Sequence, residues 1–390
     1  GKCDIVNRIK DLMLLIPQPG TPTPASNRPK PPSPAMFSLG LGRKQAPLLG
    51  IDIGSTAVKV VELARGGLAS AHTFQVTSCA LEPLAPMAVV EKKIADVQAV
   101  GEAIRQAVAR CGTKAKAAAV AVPGSATITK VIPMAVGMKD AEMEGLIQLD
   151  ADHYIPYPLD EVNLDFTVLG PSVTQGEVDV LLVATRHEVV DNLLAALEIA
   201  GLEAEVVDAE PYALENAAIL AMGAQADGQT IAIADIGAQA TRIQVVRNGR
   251  AQFSREQGFA AAQLLDEIRH RYQLKADEAR RCLEAGELPD NYVVDVARPF
   301  AEALTQQIGR ALQFYYSSTY SKPADQILLA GGCAVLPGLE RMVSSRLGVL
   351  AYVANPFAHM TLGPRVPGQL IQRHGPALTL AVGLALRGYD

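Results

Sequence analysis

An apolar strand, Leu48–Ile53, runs straight into Asp52-Ile53-Gly54-Ser55-Thr56, and a second strand, Ala57–Leu63, leaves the turn carrying Lys59. Glycine and small hydroxyl residues let the turn backbone approach a polyphosphate, where successive N–H groups donate to its oxygens. Asp52 would hold a magnesium ion through water, and Lys59 would neutralise phosphate charge. A single hairpin of this kind constrains little, because Gly-Ser serves any tight turn. A near-copy changes that. Thr230–Asp235 and Ala240–Arg247 form another strand pair around Asp235-Ile236-Gly237-Ala238-Gln239, with Asp235 and Gly237 in the places of Asp52 and Gly54. Two such loops facing each other would enclose phosphates and bring Asp52 and Asp235 to one metal ion. The chain therefore reads as an α/β fold of two related domains, duplicated at the level of the fold.

A third element follows the same logic. Ile327–Ala330 is a buried strand ending in Gly331-Gly332-Cys333, and Pro337-Gly338 opens a helix. Glycines here let backbone lie against a flat ligand such as adenosine, where a Cβ would collide. Gly331, Gly332 and Cys333 are thus candidate nucleotide contacts, beside Gly54, Ser55, Thr56, Lys59, Gly237, Ala238 and Gln239.

Composition narrows the class. Hydrophobic residues are 49% and charged residues 19%, as in a globular protein with a sizeable core. A formal charge of −6 argues against a nucleic-acid surface. No apolar run reaches the ~18 residues of a membrane span. The five cysteines are scattered and form no C-x-x-C, which favours free thiols over a zinc site or disulfide framework.

The first 35 residues differ from the rest. Eight prolines lie between Pro17 and Pro34, an extended linker composition, preceded by a short amphipathic helix pattern over residues 4–15. Met36 is a candidate natural start, with 1–35 a leader. Beyond it the expected domains are 36–210, carrying an inserted subdomain at about 123–206, then 211–375, with 376–390 a helix returning to the first domain. One helix is expected with Val97, Ile104 and Val108 on one face, closed by Gly112, and others at 140–153, 188–200, 260–271, 276–284, 295–316 and 338–347. Further strands are expected at Ala69–Cys79, Ala117–Val122, Asn163–Leu169, Val178–Ala184 and Arg250–Glu256.

The order strand–Asp-x-Gly, strand–Asp-x-Gly, strand–Gly-Gly resembles the two phosphate loops and the adenosine loop of actin-like ATPases. That resemblance implies ATP and Mg²⁺ as cofactors. Glu210, before Pro211, matches the carboxylate that orients the hydrolytic water in MreB and FtsA; a charge at a helix N-terminus is the alternative reading. Glu278 and Arg281 resemble the Glu-x-x-Lys helix that touches ribose and adenine in those relatives; a solvated surface pair is the alternative.

Within the superfamily, the chain past the linker resembles the PilM family of type IV pilus assembly. The motifs are Leu49–Thr56 with Val58-Lys59, Tyr154-Ile155-Pro156-Tyr157-Pro158-Leu159-Asp160, Leu328–Ala334, Asn355-Pro356-Phe357 and Ala381–Arg387. The resemblance implies an actin-like fold with an FtsA-type inserted subdomain. It implies a cytoplasmic ATP-binding scaffold, peripheral at the inner membrane, that grips the N-terminal cytoplasmic peptide of PilN. The groove for it would lie between the first subdomain and the insert. Other pilus assembly proteins, including the motor machinery, would be further partners. Membrane contact would be indirect and self-association is compatible with the fold. Tight Mg-ATP binding with at most slow hydrolysis is expected. A small-molecule kinase or an FtsA-like division protein are the alternative functions.

Overall fold

The computed structural model describes residues 48–66, 74–223, 228–319 and 322–389. Residues 1–35, with the helix expected at 4–15, and Cys3 lie outside the described residues.

The first half begins with β1 (Leu48–Ile53), β2 (Ala57–Arg65) and β3 (Phe74–Pro83), an antiparallel meander. The third strand was expected from Ala69; the described part starts at Phe74 and continues past Cys79 to Pro83. A small hairpin follows, β4 (Val89–Val90) and β5 (Lys93–Ile94), then α1 (Val97–Cys111), closed by Gly112 in the left-handed conformation. β6 (Ala117–Val122) pairs parallel to β1. The inserted unit is an antiparallel sheet of β7 (Thr127–Ala135), β8 (Val162–Pro171) and β9 (Glu177–Arg186), in the order β7-β9-β8. Its helix α2 (Asp140–Asp150) closes a core of its own around Ile132, Met143, Ile147, Phe166 and Leu182.

Here the boundary differs from expectation. α3 (His187–Ile199) buries Val190, Leu193, Ala196 and Leu197 in the same core as α1, and β10 (Glu203–Ala209) pairs with β6. The insert therefore ends at Arg186, not near Val206. Periodicity finds α3 but cannot say which core it covers.

The second half contains α4 (Glu210–Met222), β11 (Thr230–Ile236), β12 (Thr241–Arg247) and β13 (Arg250–Gln257). Next come α5 (Ala261–Tyr272), α6 (Ala276–Ala285) and, after a π-turn at Val293–Ala297, α7 (Arg298–Thr319). β14 (Gln326–Gly331), α8 (Leu339–Leu347) and β15 (Leu350–Val353) complete it. The strand order is β13-β12-β11-β14-β15, while the first sheet reads β10-β6-β1-β2-β3-β16. Each half is thus a meander whose first strand pairs parallel to a fourth, which pairs to a fifth. The duplication inferred from two loops extends to the whole topology.

β16 (Met360–Leu362) pairs parallel to the edge of β3, so the chain is back at the first sheet before residue 376. α9 (Gly368–His374) and α10 (Thr379–Leu386) follow. α10 is buried on every side, which its apolar circumference requires. It lies with α4 between the two sheets: Leu214 and Ala218 of α4 and Leu380 and Leu384 of α10 share a core with Leu48, Ile231, Ile233 and Leu328. The contacts are backbone-close. A Cβ on Gly383 would stand 1.8 Å from the Ala213 carbonyl oxygen, and one on Gly50 would stand 2.1 Å from that of Ala381. Outer layers of helices cover the far faces: α1 and α3 on the first sheet, α5 to α8 on the second. Strands buried on both faces explain the unbroken apolar runs at Leu48–Ile51 and Ile231–Ala234.

Candidate functional site: a cleft between two matching hairpins

The two loops close identically. Gly54 N–H donates to the Ala57 carbonyl and Gly237 N–H to the Ala240 carbonyl, both at 3.0 Å. Cross-strand register then sets Asp52 opposite Lys59 and Asp235 opposite Arg242. The loops face one another closely enough for Asp235 to feel both Asp52 and Lys59.

In the first loop, Lys59 Nζ donates to Asp52 Oδ2 at 2.7 Å. Burial alone would lower the lysine; Asp52 outweighs it and raises Lys59, keeping it charged. Asp235 has no hydrogen-bond or ion-pair partner among the described residues. Burial, reinforced by Asp52, pushes its carboxyl upward against the pull of Arg242, Lys92 and Lys59. An aspartate left half-buried without a compensating partner suits an incoming cation. No group of three His, Cys, Asp or Glu side chains able to hold a metal occurs among the described residues. Two aspartates with water and substrate phosphates is the usual arrangement for Mg²⁺, in place of a dedicated protein cage.

Arg242 passes by Asp235. Its Nη2 donates to both Glu210 Oε2 and Glu256 Oε1. Lys92 Nζ donates to the same two oxygens, at 3.0 Å and 2.8 Å. These four side chains form a closed square of two cations and two carboxylates. Lys92 belongs to the first half, Glu210 opens α4, and Arg242 and Glu256 belong to the second sheet, so the square ties the halves across the cleft. Burial disfavours the Glu210 carboxylate, yet Arg242 and Lys92 outweigh it and hold its pKa down at about 2. Glu210 is therefore ionised but engaged, with the Gly124 N–H also 3.4 Å away. It is not a free base in this arrangement. Arg242 itself is almost fully buried, and its Nε and Nη1 have no hydrogen-bond partner. Buried unpaired donors at a cleft between phosphate-type loops fit an anionic ligand.

The third element is the end of β14 and the turn after it. Gly331 takes φ +86°, and a Cβ there would lie 2.3 Å from the Ile236 carbonyl oxygen. Its glycine is needed to dock β14 onto the end of β11, beside the second loop. A Cβ on Gly332 would meet nothing, which leaves that backbone face open. Cys333 turns into the core of the second half, and desolvation pushes its thiol up to about 11. Glu278 accepts the Lys275 N–H at 3.0 Å, a cap on its own helix, and both Glu278 and Arg281 are exposed. No hydrogen bond or ion pair links either to the Gly331–Cys333 turn among the described residues. Lys92, Arg242 and Glu256 were not singled out from sequence. Arg242 had a signal: its offset from Asp235 repeats that of Lys59 from Asp52.

Beside the square opens a cavity of about 760 Å³. Its walls are the β4–β5 hairpin, α3 (Val189, Asn192), the insert (Ile128, Tyr157, Arg186), and Gln239 and Ala240 of the second loop. It thus lies between the first subdomain and the insert and reaches the phosphate-type loop.

A family model described as type IV pilus assembly protein PilM matches residues 50–389. The chain belongs to the PilM family. Among solved structures, it is similar to that of a PilM-PilN type IV pilus biogenesis complex, at 29% identity and a TM-score of 0.73, covering 90% of this chain and 100% of that one. Ethanolamine utilization protein EutJ from Carboxydothermus hydrogenoformans shares the fold at 16% identity and a TM-score of 0.52, covering 87% and 89%. A diol dehydratase-reactivating factor shares it at 10% identity and a TM-score of 0.52, covering 88% and 100%. The actin-like fold and the family expected from sequence both hold. Membership favours pilus assembly over the kinase and division-protein alternatives. No helix among the described residues is long and apolar enough to cross a membrane.

Proposed function

We propose that this chain is a nucleotide-binding scaffold of type IV pilus assembly that holds the N-terminal cytoplasmic peptide of PilN. It would act in the cytoplasm at the inner membrane, attached through its partners. The observation that carries the reading is the cavity between hairpin and insert. Val89, Ile94, Ile128, Tyr157 and Val189 give it apolar walls, and Lys93, Arg186 and Glu188 give it charged ones. β7, which supplies Ile128, is an edge strand of the insert's sheet and offers backbone donors and acceptors to an extended peptide. A relative solved as a PilM-PilN complex supports PilN as the occupant.

The cleft residues fit Mg-ATP. Asp52 and Asp235 would hold the metal through water, the backbone of Gly54–Thr56 and Gly237–Gln239 the phosphates, and the Gly331-Gly332 turn the adenosine. When bound, Mg-ATP would supply a polyphosphate anion and a divalent cation to the cleft. Glu210 gives its Oε2 to both Arg242 and Lys92, which ties the carboxylate into the square and favours retention of ATP over turnover. Titration calorimetry with a PilN N-terminal peptide tests the scaffold reading; absence of binding counts against it.

A further inference from the structure

The hairpin turn at Glu91-Lys92 is built at a cost. Both residues are left-handed, with φ of 48° and 62°, and neither is glycine, asparagine or aspartate. Two consecutive side chains in that region are held only when the surroundings over-determine them. Beside the β4–β5 pairing, the Lys92 ammonium ties this turn down, at 3.0 Å from Glu210 and 2.8 Å from Glu256. The contact reaches from the first half to the second sheet. The same ammonium acts on Asp235 at the second phosphate-type loop. All of the hairpin from Val89 to Ile94 lines the large cavity, which also touches Gln239, Ala240, Glu210 and Glu256. One short element therefore forms a wall of the groove and carries a cation into the cleft.

Charge on the square is balanced as it stands: Lys92 and Arg242 against Glu210 and Glu256. An anion entering beside Asp235 competes with those carboxylates for both cations. Resting on the nucleotide-binding reading above, we propose that Lys92 couples the cleft to the groove: it exchanges Glu210 and Glu256 for the terminal phosphate of a nucleoside triphosphate, and the hairpin moves with it. The triphosphate and diphosphate states then present different groove walls to a peptide. Glu256 acts as the competitor that keeps Lys92 in place when no triphosphate is bound.

The test uses the full chain with fluorescent ATP and ADP analogues, plus hydrogen exchange of residues 89–94. Lys92→Gln should weaken ATP binding about tenfold, the size of one charge-assisted contact, and leave ADP affinity nearly unchanged. Glu256→Gln should act oppositely and tighten ATP. ATP should alter exchange of the hairpin in the wild type and not in Lys92→Gln. Thermal melts establish that each variant is folded, and opposite signs in the two variants exclude a general loss of structure. An unchanged ATP-to-ADP ratio in Lys92→Gln, or a hairpin response that persists in it, overturns the coupling alone. A wild type that binds neither nucleotide overturns the nucleotide reading and the coupling with it.

Discussion

Lys59 and Arg242 hold the same place in the two halves, each directly across its hairpin from an aspartate, yet only Lys59 pairs with its own. Arg242 reaches past Asp235 to two glutamates, one opening α4 and one on β13. The repeat has diverged so that the first hairpin is electrically closed and the second leaves its aspartate available.

Both aspartates should matter for a metal-bound nucleotide. Asp52→Ala and Asp235→Ala should each weaken nucleotide binding in the presence of Mg²⁺, with a smaller effect in its absence. Equilibrium titration with and without Mg²⁺ reads this directly. Unchanged affinity in both variants would remove the cleft as the site.

Arg242 is also a structural tie. Arg242→Met deletes the guanidinium and leaves Glu210 and Glu256 facing Lys92 alone in a buried setting. Breaking a buried charge pair from one side costs about 3 kcal/mol. A urea titration should show a lower midpoint with little change in slope. A midpoint equal to the wild type would mean that the square contributes nothing to stability.

Glu215 on α4 adds a pH dependence of opposite sign to acid denaturation. Burial first, then Asp208, pushes its carboxyl up to about 8 from an ordinary 4.5, against the Ala251 N–H and Arg250. A carboxyl raised on folding binds its proton more tightly in the folded chain. Its contribution is whole below 4.5, falls as pH rises, and is gone above about 8. Glu215→Gln should flatten the decline in melting temperature between those values. An identical decline in the variant would show that Glu215 is not its source.

The helix layer between the sheets depends on glycine at one crossing. Gly383→Val would drive a side chain into the Ala213 carbonyl, already 1.8 Å from a bare Cβ. α4 and α10 would have to part, at a cost of about 2 kcal/mol or more. A drop in melting temperature of several degrees checks this.

Much of this architecture is legible in the residues, and what is not has physical causes. The strands around both Asp-x-Gly turns are plain because double-sided burial leaves unbroken apolar runs. β7 was hidden by Pro133 and Lys130, which an edge strand tolerates and a central one does not. β10 was hidden by Glu203 and Glu205, again on a sheet edge. The Asp and Gly members of the site follow from local turn chemistry. Lys92 and Glu256 do not, because their meaning lies in a contact between halves remote in sequence, 164 residues apart. Glu210 is legible as a carboxylate before proline, but its two cationic partners are not. Cys333 follows Gly331-Gly332 in sequence, and only the fold shows its thiol turned inward.

The central claim is that the cavity between the hairpin and the insert holds a peptide of PilN. Calorimetric titration of a PilN N-terminal peptide into the wild type and Tyr157→Ala measures it most directly. Tyr157 lines the cavity and is 41% exposed, so its truncation should leave the fold intact. The account predicts one peptide per chain for the wild type, with affinity about tenfold weaker in Tyr157→Ala. Equal affinity in the two proteins would contradict the assigned groove, and no binding by either would contradict the function.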